Sequence, residues 1–531
     1  MSRPDSQLAE VERIVLQAKL LAAVHNSDYD DETGTRRRLN EHGIPDDEIA
    51  KQLATLSSNT SGSTAVLTSY SLLHSLQHLD TILEESPRLS YAAEAVIALF
   101  RCAEVCLYDI GVLSSKMVAS LERGDLQRAV SAAHWRRGLQ ELLYRLSALV
   151  VEVSEDPAAG LRLDIADSAI HRECERRVVE LRDFLRTRWP EADADVFSKD
   201  LDDPRRFIFF NEFINTSDER VWRSRMARVR VAGAAIEGDE TPAEAYRRIV
   251  RSDEIEAMML ALETEADTDL MSFRVVHQVT EIIANCVNAS CCEAIALVLS
   301  DEPGAMDGAL RRLVVSNRLL SVVDESVKLM MRALTPRAYS EIRPNLGMVQ
   351  GTSSVALRKR LFNTTYPLLV RALKLRLCGL ESALADDPEE VEARARAALE
   401  SGEDPRLVEL TRQIIVLHQH VRTWRDNHQQ LPKTHLGVSA DHHRPTVSLS
   451  GSDGAVGIAH ELRKVHAADP IEPLYRALVG TPPPAVHELL TPGGFDEYMA
   501  HTTARAVHET YAEVQERFYQ RVERQGGRRG H

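Results

Sequence analysis

Residues 404–432 read DPRLVELTRQIIVLHQHVRTWRDNHQQLP, and their periodicity decides the fold class. Leu407, Leu410, Ile414, Leu417, Val421 and Trp424 recur at alternating spacings of three and four, the repeat of an α-helix that buries one stripe. Asp404 is a good N-cap residue, and Pro405 suits the first helical position, where its missing N–H is no loss. Pro432 marks the expected end. The next member of the stripe is His428, so a titratable ring stands where an aliphatic side chain belongs. In the first half of the chain, Trp222-Arg223-Ser224-Arg225-Met226 is a degraded echo of Trp424-Arg425-Asp426-Asn427-His428.

A chain of 531 residues is too long for one ordinary core, so two domains are expected. Hydrophobic content of 44%, aromatic content of 5% and the lack of sustained alternating runs favour helix almost throughout. The expected fold is therefore all-α, two tandem helical bundles. Helical patterns run from Tyr70 to Leu83, Tyr91 to Arg123 and Leu126 to Glu152, then on to Arg186, before Trp189-Pro190 breaks the chain. Asp218 to Ala232 carries the Trp222 motif. The small, acidic, turn-rich stretch from Gly233 to Pro242 reads as an interdomain boundary. Further helices are expected over Pro242–Glu263, Asp267–Leu299 and Ala309–Leu334, the last ending at Thr335-Pro336. A helix through Tyr339, a polar loop (Pro344–Ser354) and another helix from Val355 follow.

The halves overlay in order. Phe100-Arg101-Cys102-Ala103-Glu104 matches His277-Gln278-Val279-Thr280-Glu281, Leu126–Leu143 matches Leu310–Val327, and Trp222-Arg223 matches Trp424-Arg425. The division this gives is a helical extension over 1–60, a worn copy over 61–235, and a chemistry-bearing domain over 242–531.

The net charge of −16 does not suit a nucleic-acid backbone, and the basic run at Arg524–Arg529 reads as a solvated end. The N-terminus is polar and no apolar stretch reads as a membrane span. Seven cysteines without repeating spacing point to a reducing compartment, so a cytoplasmic protein is expected. Cys102 and Cys106, one turn apart, read as small core residues, because no second pair completes a metal site.

Four places carry candidate chemistry. His428 is either a core histidine bonded to a backbone carbonyl or an iron ligand. Phe273 and His277, one turn apart, project from one helix face, and His277 is either a satisfied core residue or a proton-handling group. Arg358, beside a donor-rich loop holding Gly351, suits capture of a carboxylate or lies at the surface with Lys359 and Arg360. Ser448–Gly454 is a Gly/Ser loop able to close over a ligand or act as a linker. His442 and His443, being adjacent, point apart and read as loop residues.

Taken together these residues resemble the tryptophan 2,3-dioxygenase superfamily of haem-dependent aromatic oxygenases. Phe273-x-x-x-His277-Gln278 is similar to the family's F-x-x-x-H-Q element. Thr335-Pro336, Arg343, Gly351 and Arg358 follow its TP…FR…SG…FR spacing, and Trp424-Arg425-x-Asn427-His428 with Gly437 follows W-R-x-x-H…G. The resemblance implies haem b, with His428 as its proximal ligand and Trp424 and Gly351 beside it. Dioxygen is then a co-substrate at ferrous haem. By the same resemblance Arg358 binds the substrate carboxylate, Phe273 packs on an aromatic ring, and His277 hydrogen-bonds to the oxygen or to the substrate N–H. The family's threonine-bearing glycine loop corresponds to Ser448–Gly454, where Ser450 or Ser452 stands in, and Thr280 lies where the family has tyrosine. Phe100 and Met226 replace the two histidines in the first copy, which is expected to hold no haem and to serve as a pseudo-subunit. The function implied is dioxygenation of L-tryptophan or a related indole or aromatic amino acid by a homo-oligomer, a dimer of pseudo-dimers. Two alternatives are a haem-dependent monooxygenase (hydroxylase) of specialised metabolism and a non-enzymatic helical assembly protein.

Overall fold

The computed structural model describes residues 90–154, 160–190, 203–214, 216–263, 268–339, 356–357, 361–362, 365–384, 387–402, 404–436 and 471–479. The expected extension over 1–60, the helix over Tyr70–Leu83, the loop Pro344–Ser354 and the His442–His443 pair lie outside them. In chain order the elements are α1 (Tyr91–Glu122), α2 (Leu126–Val153), β1 (Leu161–Leu163), α3 (Ala169–Arg188), α4 (Pro204–Ile214), α5 (Thr216–Met226), β2 (Val229–Val231), α6 (Pro242–Val250), α7 (Ser252–Glu263), α8 (Thr268–Val298) and α9 (Ala305–Ala333). There follow α10 (Tyr366–Leu384), α11 (Pro388–Glu400), α12 (Pro405–Leu436) and α13 (Glu472–Val479). The fold is all-α apart, among the described residues, from one ribbon in which β1 pairs antiparallel with β2, Leu161 opposite Val231.

Local chemistry sets the helix ends. Ser90 accepts from the Ala93 amide at the start of α1, and Asp125 accepts from Arg128 at the start of α2, each satisfying an amide that the helix cannot. Thr241 and Glu244 form a capping box on α6. Two expectations change. The single helix over Pro242–Glu263 is two, because Arg251 takes a left-handed conformation (φ 68°) between α6 and α7. The Trp222 motif lies at the end of α5, which stops at Met226 before the chain turns into β2. Helix α12 runs past Pro432 to Leu436 in place of ending there.

Packing repeats between the halves. Hairpin α1–α2 and hairpin α8–α9 lie like on like, α1 against α8 and α2 against α9. Gly138 of α2 marks the close approach: a Cβ there would fall 2.8 Å from Cγ of Leu329 on α9. On the first hairpin α3 packs on α1 and α5 on α2; on the second, α10 packs on α8 and α12 on α9. One continuous apolar core runs through both hairpins. Against the expectation that no stretch reads as a membrane span, helix α8 is long and apolar enough to cross one by length and composition, but 67% of that window is buried and the helix packs against α1, α9 and α10.

Candidate functional site

Helix α8 places Phe273, His277, Glu281, Asn288 and Cys292 along one face, at offsets of four, four, seven and four residues. His277 is 7% exposed. Its Nδ1 lies 2.8 Å from the Phe273 carbonyl oxygen, and the two rings are tilted at 41° with centroids 4.3 Å apart. A carbonyl only accepts, so Nδ1 carries the proton. Burial holds the ring's pKa below its ordinary value. The neutral tautomer therefore keeps its lone pair on Nε2.

The same face of α8 holds a second segment. Glu281, 2% exposed, accepts from the Ala356 amide at 2.9 Å and from the Leu357 amide at 3.5 Å. Further along, the Thr365 hydroxyl donates to Oδ1 of Asn288 at 2.5 Å, with Sγ of Cys292 3.9 Å away. Ala356, Leu357, Leu361, Phe362 and Thr365 are π-helical, and the winding becomes α at Tyr366. Pro367 follows at once. Its ring cannot tolerate the carbonyl that an α-turn would place beneath it, and wide π turns recur at functional sites.

From that segment the geometry passes to α12. Phe362 meets Trp424 edge to face, centroids 5.4 Å apart at 66°. Trp424, 6% exposed, stacks on His428 at 4.7 Å and 13°. His428 is half-buried, unlike the fully buried Leu410, Ile414, Leu417 and Val421 that precede it on the stripe. On the same helix Nδ1 of His418 lies 2.7 Å from the Tyr366 hydroxyl, and Nδ1 of His420 lies 2.7 Å from the Asp324 carboxylate.

No family model, curated protein or solved structure matches the chain.

The expected residues thus divide. Phe273 pairs with His277 on α8, Trp424 pairs with His428 on α12, and the π-helical segment touches both helices. Gly351, Arg358, Ser450 and Ser452 lie outside the described residues. Sequence reasoning missed Glu281 and Phe362. Glu281 had a signal, a carboxylate one turn beyond His277 on the same apolar face; Phe362 had none. Among the described residues no three His, Cys, Asp or Glu side chains gather as a metal site. None of the seven cysteines forms a disulfide bond.

The first half fills the corresponding positions differently. Phe100, where the overlay has His277, is fully buried and meets Tyr246 edge on. Met226, where it has His428, is fully buried, and Trp222 packs against the edge of His171. Glu104, which overlays Glu281, accepts from the Ser252 hydroxyl at 2.9 Å. Ser168, the N-cap of α3, and Tyr246 lie beside the same carboxyl. Behind them Arg136 pairs with Glu212, both buried, and Arg182 reaches the same carboxylate at 3.0 Å.

Proposed function

We propose that the chain is a cytoplasmic, homo-oligomeric haem-dependent oxygenase of L-tryptophan or a related aromatic amino acid. We read it as a tandem of the tryptophan 2,3-dioxygenase type whose first copy has lost its ligands. The observation that carries the reading is the pair of ring contacts Phe273–His277 and Trp424–His428, on helices joined by a π-helical segment. Like-on-like packing of the hairpins supports the tandem.

A haem iron needs one protein imidazole. His428 fits that need: it sits half-buried at the end of an apolar stripe, its ring held flat on Trp424. When bound, ferrous haem supplies the dioxygen chemistry. The chain's own residues orient the substrate. Arg358 offers a guanidinium for bidentate capture of a carboxylate, and Phe273 offers an aromatic face. The Nε2 lone pair of His277 accepts a hydrogen bond from a substrate N–H, a role fixed by the proton on Nδ1. Fixing the substrate in this way accounts for catalysis by positioning.

The test is spectroscopic. Protein purified after haem-supplemented expression shows a Soret band, which is lost in His428→Ala. Colourless protein overturns the reading. Product mass then separates insertion of two oxygen atoms with ring cleavage from insertion of one.

A further inference from the structure

We propose that Trp135 and Ser131 of the first half are positioning residues for His277: by holding Asp269 they fix the first turns of α8, whose Phe273 carbonyl decides which His277 nitrogen accepts. That this nitrogen meets a substrate rests on the reading above; the anchoring stands without it. Nε1 of Trp135 donates to Oδ1 of Asp269 at 2.7 Å, and the Ser131 hydroxyl donates to the same oxygen at 2.8 Å. Trp135 is fully buried, so its N–H needs a partner inside the protein, and it takes one on the other half of the chain. Hydrogen bonds to a carboxylate are stronger than neutral ones and fix direction as well as distance.

Helix α8 has little hold of its own at this end. Its first amides have no acceptor within the helix, and helix ends open at low free energy. Asp269 lies in the first turn, and Phe273 and His277 follow it at four-residue intervals on the same face. The first half grips the two residues just before Phe273 as well. Nζ of Lys116 lies 4.0 Å from Sδ of Met271, and Ser272 lies beside the Asp109 carboxyl, both fully buried. A fixed turn keeps the Phe273 carbonyl 2.8 Å from Nδ1 of His277. Once it frays, Nδ1 loses that acceptor and the proton is shared between the two nitrogens. The grip is not repeated by the overlay of the halves. There Asp269 corresponds to Ala92, Ser131 to Val315 and Trp135 to Leu319, whose side chains form no such bond. The anchor therefore serves only the half that carries the histidine, and it gives the worn first half a task.

The experiment uses the full-length protein: wild type, Asp269→Ala, Asp269→Asn and Trp135→Phe. Three quantities are measured: amide hydrogen exchange over 268–277, the His277 tautomer, and kcat/KM for L-tryptophan in the haem-loaded protein. The tautomer is read by ring-nitrogen NMR of isotope-labelled histidine, its signal assigned by its loss in His277→Gln. In Asp269→Ala, exchange at 272–277 rises roughly 10- to 100-fold, the scale of losing hydrogen bonds to a charged group. His277 passes from one Nδ1-protonated form to a mixture of tautomers, and kcat/KM falls by a similar factor with the Soret band retained. Asp269→Asn keeps an oxygen for both donors and restores most of each, which a general loss of stability does not predict. Trp135→Phe removes one donor and gives a smaller change of the same kind. It decides alone if the alanine variant does not fold, and no change in it then overturns the inference. Unchanged exchange and an unchanged tautomer in Asp269→Ala overturn it too, as does a loss that asparagine does not recover. A changed tautomer with unchanged kcat/KM overturns the link to substrate. If the wild type binds no haem, the haem reading falls by itself, and exchange and the tautomer still decide the anchor.

Discussion

Replacing Glu104 by glutamine removes a titration from the folded chain, and the structure sets its size. The carboxyl is fully buried on α1, and Oε1 accepts from Ser252 at 2.9 Å. Desolvation, opposed by nearby hydroxyls, pushes its pKa from 4.5 up to about 7. Below pH 4.5 the acid is neutral in both folded and unfolded chains, and its contribution to stability is intact. Between 4.5 and about 7 the unfolded chain releases the proton while the folded chain holds it, so stability falls as pH rises. The difference, 7 − 4.5 or about 2.5 units, corresponds to about 3 kcal/mol once the loss is complete. Glutamine copies the neutral acid in shape and in having both an acceptor and a donor. Urea unfolding of wild type and Glu104→Gln at pH 5 and pH 8.5 measures the effect. The variant gains on the wild type by up to about 3 kcal/mol between the two pH values. Asp109, also buried and raised to about 7, slopes the same way in both proteins and cancels in the comparison. A stability gap that is the same at both pH values refutes the reasoning.

Glu212→Gln strands a buried guanidinium on Arg136 (side chains 4% and 1% exposed) and costs about 3–5 kcal/mol in urea unfolding. The apolar double replacement Arg136→Met/Glu212→Leu recovers most of it, and an undiminished loss in the double variant counts against the pairing. Gly138→Ala forces Cγ of Leu329 away from 2.8 Å; overpacking outweighs the gain in helix propensity, for a net loss of about 1–2 kcal/mol in thermal unfolding. Because burial lowers the pKa of His277, its acceptor nitrogen is lost only as pH falls below the ordinary 6.5. The acid limb of kcat/KM therefore lies below that value, and it is absent in His277→Gln.

The helices were legible because their determinants are local. The spacing of three and four around Leu410, Ile414, Leu417 and Val421 announces a buried stripe whatever it packs on, and all four are buried. Caps such as Asp125 and Thr241 act within one turn. The same logic put Trp424 and His428 side by side, since residues four apart share a helix face. The break at Arg251 and the β1–β2 ribbon were not legible. The first is a single left-handed residue with no glycine to mark it, and the second pairs three residues with partners nearly seventy positions away. The π winding before Pro367 escaped for a similar reason, because proline warns of a disturbed ladder but not of its form.

The sequence by itself determined where the chain is helical, which faces are apolar, and that polar rings at 277 and 428 interrupt them. Only the tertiary structure decided what those faces meet: that α1 lies on α8 and α2 on α9, and that Glu281 ties down amides from a distant segment. Tertiary structure also decided the tautomer of His277, and with it an accepting role in place of a donating one. Periodicity records that a side chain leaves water, whereas its partner is fixed by how helices distant in sequence close over one another.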